Sequence, residues 1–195
     1  MSQTKKVLFF DYETDGLPPE CLGYPTQMTF QVVDFNTRKV IRTYNKYIKG
    51  AKYLSPWHKE HSKITLELLN SEGVPYEEAM NEMKKYMGHG FLWVAHNLNF
   101  DVNVILRHGT AYVNPKDVNR QYKLCTCLST TEYCKLPKTG RAAYYPGYKW
   151  PKLSELSEEL GLEFSEEEAH DSLYDVEMLR KCFFECVDRG IINVL

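Results

Sequence analysis

The sequence predicts a mixed α/β fold in one domain, residues 1–195, with a meander of strands followed by alternating strands and helices. Three observations predict it. "KVLFF" (Lys6–Phe10) is a compact apolar run of buried-strand type. "MTFQVVDF" and "KVIRTYNKYI" alternate well enough for two more strands, joined through Asn36-Thr37 in a hairpin-like turn. Beyond Pro75, apolar positions recur at helical spacing on either side of another short strand, "FLWVAHN".

The elements follow in order. The first strand is expected to end at Asp11. "SPWHKEHSKITLELLNSEG" reads as a loop and then a short helix stopped by Gly73. Pro75 stands near the start of the next helix and Gly88 at its end, with Ala79, Met83 and Met87 on one face. "NFDVNVILRHG" is helical, with Phe100, Val104 and Ile105 inward. Tyr112 to Pro151 reads as irregular, broken by Pro115, Pro137, Gly140, Pro146 and Gly147. Leu153, Leu156 and Leu160 share a helix face that Gly161 ends, and the last helix turns Leu173, Val176, Leu179, Phe183 and Val187 inward.

A chain of 195 residues buries a sizeable core without disulfides or structural metal. No apolar run approaches the roughly 18 residues of a membrane span. The opening "MSQTKKVLFFDYET" reads as a first strand, not a signal peptide. Six cysteines without a secretory signal imply reduced thiols in a cytoplasmic or nuclear setting. Their spacing matches no zinc pattern, and Cys182 and Cys186 fit a buried helix face. Residues 102–152 carry nine Lys/Arg against two acids, and residues 154–168 carry seven glutamates and no Lys or Arg. That contrast fits a polyanion surface beside a metal-binding edge, and equally two solvated faces.

The chemistry sits in the acids. In extended chain the carboxylates of Asp11 and Glu13 point to the same face. Two acids at the end of a buried strand are costly without a positive partner, and oxygen-only ligands favour Mg²⁺ or Mn²⁺ over zinc. Asp101 stands at a strand-to-helix step, and Asp175 lies one turn beyond His170 in the last helix. Singly, each acid also fits a cap or a solvated strand end. Together, four carboxylates suit a two-metal site for phosphoryl transfer.

Three motifs stand in order along the chain: "DYETDG" (Asp11–Gly16), "HNLNFD" (His96–Asp101) and "HDSLYD" (His170–Asp175). They resemble the D-x-E-T-x-G, H-N-x-x-F-D and H-x-A/S-x-x-D motifs of the DEDD family of 3′–5′ exonucleases, in the DEDDh branch. The resemblance implies an RNase H-like fold, with a mixed five-stranded central sheet flanked by helices. It implies that Asp11, Glu13, Asp101 and Asp175 ligate two Mg²⁺ (or Mn²⁺), and that His170 is the general base. An unperturbed histidine pKa near 6.5 suits that role. The motif neighbours Tyr12, Thr14 and Asn97 become candidate substrate contacts. "HSKIT" is similar to the family's H-x-I-T segment, one residue longer, and carries over His61 and Ile64. "TQMTFQVV" departs from the small residues usual in the family's second strand.

In the middle of the chain, cations interleave with aromatics, and "KTGRAAYYPGYK", with Lys138 and Arg141, is the candidate substrate loop. The expected activity is release of nucleoside 5′-monophosphates from single-stranded or frayed 3′ ends of DNA or RNA. The alternatives are a proofreading subunit with a polymerase partner and a non-catalytic nucleic-acid-binding module. The residues after the last helix are too few to suggest a separate polymerase-binding tail.

Overall fold

Strand β1 (Lys6–Thr14) is the centre of the sheet because it is apolar on both faces and pairs along both edges. The structure is a computed structural model describing residues 6–17, 23–88 and 90–194; Cys21 and the first five residues lie outside them. β2 (Pro25–Asp34) runs antiparallel to β1, and β3 (Val40–Lys49) antiparallel to β2. The turn between β2 and β3 is held by Asp34, whose Oδ1 accepts from Thr37 N at 2.8 Å. Helices α1 (Pro56–His61) and α2 (Leu66–Glu72) lead to a two-residue strand, β4 (Val74–Pro75), and to α3 (Tyr76–Lys84). β5 (Phe91–Ala95) then enters parallel to β1, followed by α4 (Leu98–His108) and α5 (Pro115–Arg120). β6 (Tyr122–Cys125) lies parallel to β5, and α6 (Thr126–Cys134), α7 (Leu153–Glu159) and α8 (Ser172–Asp188) complete the order.

The sheet runs β4-β3-β2-β1-β5-β6, a mixed sheet with helices on both faces. It has six strands rather than the five expected, the extra one being the short edge pairing of β4 with β3. Period-two alternation divides the core. Leu8, Phe10 and Tyr12 of β1 join Met28, Phe30 and Val32 of β2 under α3 and α4. Val7 and Phe9 turn the other way, onto Leu156 of α7 and Val176, Leu179 and Phe183 of α8.

Two expectations are corrected. β1 does not end at Asp11: Asp11 pairs with Thr29 and Glu13 with Gln27, so the strand continues to Thr14. Nor is 112–151 irregular throughout. Pro115 starts α5 instead of breaking it, since a proline in the first turn forfeits no helical hydrogen bond and Asn114 caps Lys116 N. α6 forms from a sequence of weak helix formers because Thr126, Cys127, Thr130 and Cys134 are buried on one face. Residues 135–152 remain the long loop, with one 3₁₀ turn at Gly140–Tyr144. No helix among the described residues is long and apolar enough to cross a membrane.

Candidate active site

Pairing between β1 and β5 stops at Phe9 with Val94, while β1 continues to Thr14 along β2. The β5-side edge of Asp11–Glu13 is therefore open, at the carboxyl ends of the parallel strands. Helix α4 fills it: Asp101, in its first turn and 1% exposed, accepts the Tyr12 backbone N–H on Oδ1 at 3.1 Å. Its other oxygen, Oδ2, is buried without a hydrogen-bond partner. By alternation Asp11 and Glu13 share the face of Val7 and Phe9, toward α8, and α8 carries Asp175 in its first turn.

Burial raises the pKa of all four carboxylates, and neighbouring acids of the group raise Asp11, Glu13 and Asp101 further. Burial, then Asp175 and Asp171, hold the Asp11 carboxyl well above its usual range. Burial and the neighbouring Asp11 do the same to Glu13, which also feels Asp175 and Asp101. Asp101 is raised by burial and by Asp11, against the Tyr12 N–H that favours its charged form. Asp175 is pushed up to about 7, chiefly by burial, although the His170 N–H donates to its Oδ2 at 3.2 Å. Acids gathered without an internal cation repel one another and desolvate at a cost. A divalent cation is the partner that fits this donor set, and the orphaned Asp101 oxygen is a ready ligand. Glu13, His170 and Asp175 each bring a ligand atom to within 4.8 Å of one another.

His170 stands just outside α8, exposed, at φ 65°, a left-handed conformation that costs a non-glycine residue about 1–3 kcal/mol. The turn is held by Asp171, whose Oδ1 caps the helix by accepting from Leu173 N at 2.9 Å and Tyr174 N at 3.2 Å. Sequence reading missed what ties this junction to the sheet. Thr29 and Ser172 hydroxyls meet at 2.7 Å, and Gln27 Oε1 accepts from Ser172 N at 3.3 Å. Asn45 Oδ1 accepts from Gln27 Nε2 and from Thr29 Oγ1, each at 3.0 Å. The polar residues that set "TQMTFQVV" apart are thus the sheet's docking points for the start of α8. They were visible as polar positions facing inward on a buried strand.

α1, read as loop, is a helix capped by Ser55 with proline in its first turn. It presents Trp57 and His61 beside His170, with Trp57 and His170 ring centroids 5.0 Å apart and 82° between planes. An open cleft of about 300 Å³ lies alongside, lined in part by Gln27, Tyr47, His61, Ile64 and His170.

The candidate substrate residues divide. His61 and Asn97 are exposed, Asn97 at φ 63° as the residue before α4, and Ile64 is buried in the cluster beneath the cleft. Thr14 is buried with Oγ1 donating to Gly16 O at 3.3 Å. The Tyr12 side chain is removed from any substrate: it points into the core, its hydroxyl on Met80 and Met83 sulfurs, because it alternates away from Asp11. His96 is half-buried, Nδ1 on Thr126 Oγ1 and Nε2 on Pro151 O, each at 2.9 Å, so it moors the end of the long loop beside β5. Burial lowers its pKa to about 4, and a neutral ring holds that mooring. In the loop, Lys138 Nζ donates to Pro146 O at 2.6 Å and is spent on loop shape, whereas Arg141 is exposed. Tyr144, Tyr145 and Trp150 are exposed in the same loop.

A family model described as RNase_T, exonuclease, matches residues 8–183, a span holding all three motifs. The chain belongs to the RNase_T exonuclease family. Within it, the chain is 25% identical to "3'-5' exonuclease DinG" of Bacillus subtilis over 187 residues, covering 95% of this chain and 18% of that protein. It is 28% identical over 183 residues to "DNA polymerase III PolC-type" of Mycoplasma genitalium, covering 91% of this chain and 11% of that one. The RNase_T chain thus spans under a fifth of either curated relative. Its fold matches Escherichia coli Exonuclease I in complex with a dT13 oligonucleotide at a TM-score of 0.72 and 20% identity, over 94% of this chain and 41% of that one. The likeness supports the mixed, helix-flanked RNase H-like sheet of this exonuclease-family domain.

Proposed function

We propose that this domain is a divalent-metal-dependent 3′–5′ exonuclease that hydrolyses single-stranded or frayed 3′ ends and releases nucleoside 5′-monophosphates. The observation that carries the reading is the set of acids Asp11, Glu13, Asp101 and Asp175, each raised in pKa chiefly by burial, with Glu13 and Asp175 bringing ligand atoms to within 4.8 Å of His170. Those four acids would hold two Mg²⁺ or Mn²⁺, and bound cations would supply water activation and charge neutralisation at the leaving oxygen. The chain's own residues do the rest. β1 and α4 fix three acids through the Asp101–Tyr12 bond, and α8 brings the fourth. His170 takes the proton of the attacking water, and its pKa is lowered by partial desolvation of the ring and by His61, which favours the neutral ring that can accept. Exposed Arg141 with Tyr144, Tyr145 and Trp150 offers cation and ring contacts of the kind that hold single strands.

DNA is the first substrate to test, since the similar Exonuclease I is recorded with oligonucleotides dT13 and dA16. A second reading, proofreading beside a polymerase, is favoured by the PolC-type relative. The deciding assay uses 3′- and 5′-labelled DNA and RNA oligonucleotides with Mg²⁺, Mn²⁺ or EDTA. Labelled mononucleotide should leave the 3′ end first, and only with metal. Degradation from the 5′ end, or activity in EDTA, contradicts the reading. A proofreading role requires, in addition, faster removal of mismatched than matched primer termini.

A further inference from the structure

His170 is poorly held for a proton acceptor. It precedes α8, it is exposed, and its backbone N–H is its one hydrogen bond among the described residues. The imidazole has no hydrogen-bond partner there; what it touches is the indole of Trp57. A general base must be kept within hydrogen-bond reach of the water it deprotonates, and a freely turning ring spends little time there. Perpendicular ring pairs at this separation are attractive beyond their buried area.

Trp57 is itself fixed. Its indole lies parallel on His61, 4.7 Å away with 9° between planes, and its carbonyl meets His61 Nδ1 at 2.9 Å. Ser55 starts the helix by accepting from His58 N at 3.1 Å, and Ser55 N donates to Asp15 O at 2.8 Å. Asp15 lies two residues beyond Glu13, so the indole is referenced to the strand that carries two of the acids. Trp57 is nonetheless 49% exposed, which is too open for a core residue. We propose that Trp57 is a positioning residue for His170: its edge-to-face contact, braced by His61 and by the tie from Ser55 to Asp15, holds the imidazole turned toward the acids of β1 and α8. The inference rests on the reading of His170 as the base.

The test compares Trp57→Ala, Trp57→Leu, Trp57→Phe, His170→Ala and the double variant Trp57→Ala/His170→Ala, in steady-state kinetics on a single-stranded DNA oligonucleotide with Mn²⁺. Loss of the ring contact should lower kcat roughly tenfold in the Ala and Leu variants with KM little changed. Trp57→Phe should recover most of the rate. In the His170→Ala background, Trp57→Ala should have no further effect, since its only route is through that ring. In metal-free protein, the His170 ring-proton NMR resonances should lose their ring-current displacement in Trp57→Ala and Trp57→Leu. Raised KM at unchanged kcat, additive losses in the double variant, or unmoved His170 resonances would overturn the proposal. If His170→Ala alone keeps full kcat, the base assignment falls instead, and the NMR comparison still reports on the contact.

Discussion

Asp101 accepts the Tyr12 N–H on one carboxylate oxygen and leaves the other buried and unpartnered. The bond lies beyond the last β1–β5 pair, where β1 has lost its parallel neighbour but keeps β2. One side chain thereby meets the backbone N–H of Tyr12 at the strand end and keeps an unused oxygen in a site where Asp11 is its charged neighbour. Fold and site are the same feature here, and several measurable consequences follow from it.

Asp175 makes the metal-free protein pH-sensitive. Its pKa is raised from 3.8 to about 7 by burial, so between those values the folded chain binds a proton that the unfolded chain does not. The associated stability is full below about pH 4 and is lost as pH rises through about 7. In EDTA, Tm should therefore fall between about pH 4 and pH 7, and Asp175→Asn should flatten that fall. An equal slope in wild type and variant would contradict it.

The docking of α8 on β2 should show as a double-mutant cycle. Thr29→Val strands the Ser172 hydroxyl, at a cost of about 1–3 kcal/mol, whereas Ser172→Ala leaves Thr29 its bond to Asn45 and should cost less. The double variant should recover part of that, because neither polar group is then left unmet. Urea unfolding of the four proteins gives the coupling, and strictly additive losses would refute the pairing.

In the loop, the two cations should behave differently. Arg141→Ala should weaken oligonucleotide binding and reduce the slope of log K against log salt by roughly 0.7. Lys138→Ala should act through loop shape, since its amine is bound to Pro146 O, and should change the salt slope less. Fluorescence anisotropy across a salt series separates them.

His170→Ala should lower kcat by roughly 10²–10⁴, the usual range for a general base, while Mn²⁺ still binds. Equal loss of metal affinity would recast His170 as a ligand, a role its closeness to Glu13 and Asp175 makes testable.

The sheet and the acids were legible in the sequence for physical reasons. Lys6–Phe10 is apolar on both faces, and strand alternation puts Asp11 and Glu13 on one face whatever their partners. α5, β6 and α6 were not legible. Pro115 looks like a breaker unless Asn114 is recognised as a cap, and α6 is helical through burial rather than propensity. The substrate side was read less well than the acids. Tyr12 adjoins Asp11 in sequence, yet alternation sends it into the core. Trp57 and the Gln27–Thr29–Asn45 network depend on contacts from distant elements, α8 above all, which no local pattern records.

Calorimetric titration of metal-free protein with Mn²⁺ tests most directly whether the acids of β1, α4 and α8 form a cation site. Wild type should bind saturably with proton release at neutral pH, since raised carboxyl pKa values mean that binding expels protons. Asp101→Asn should keep the fold, lose much of that affinity and release fewer protons. Absence of saturable binding in the wild type, or an Asp101→Asn isotherm identical to it, would contradict the site.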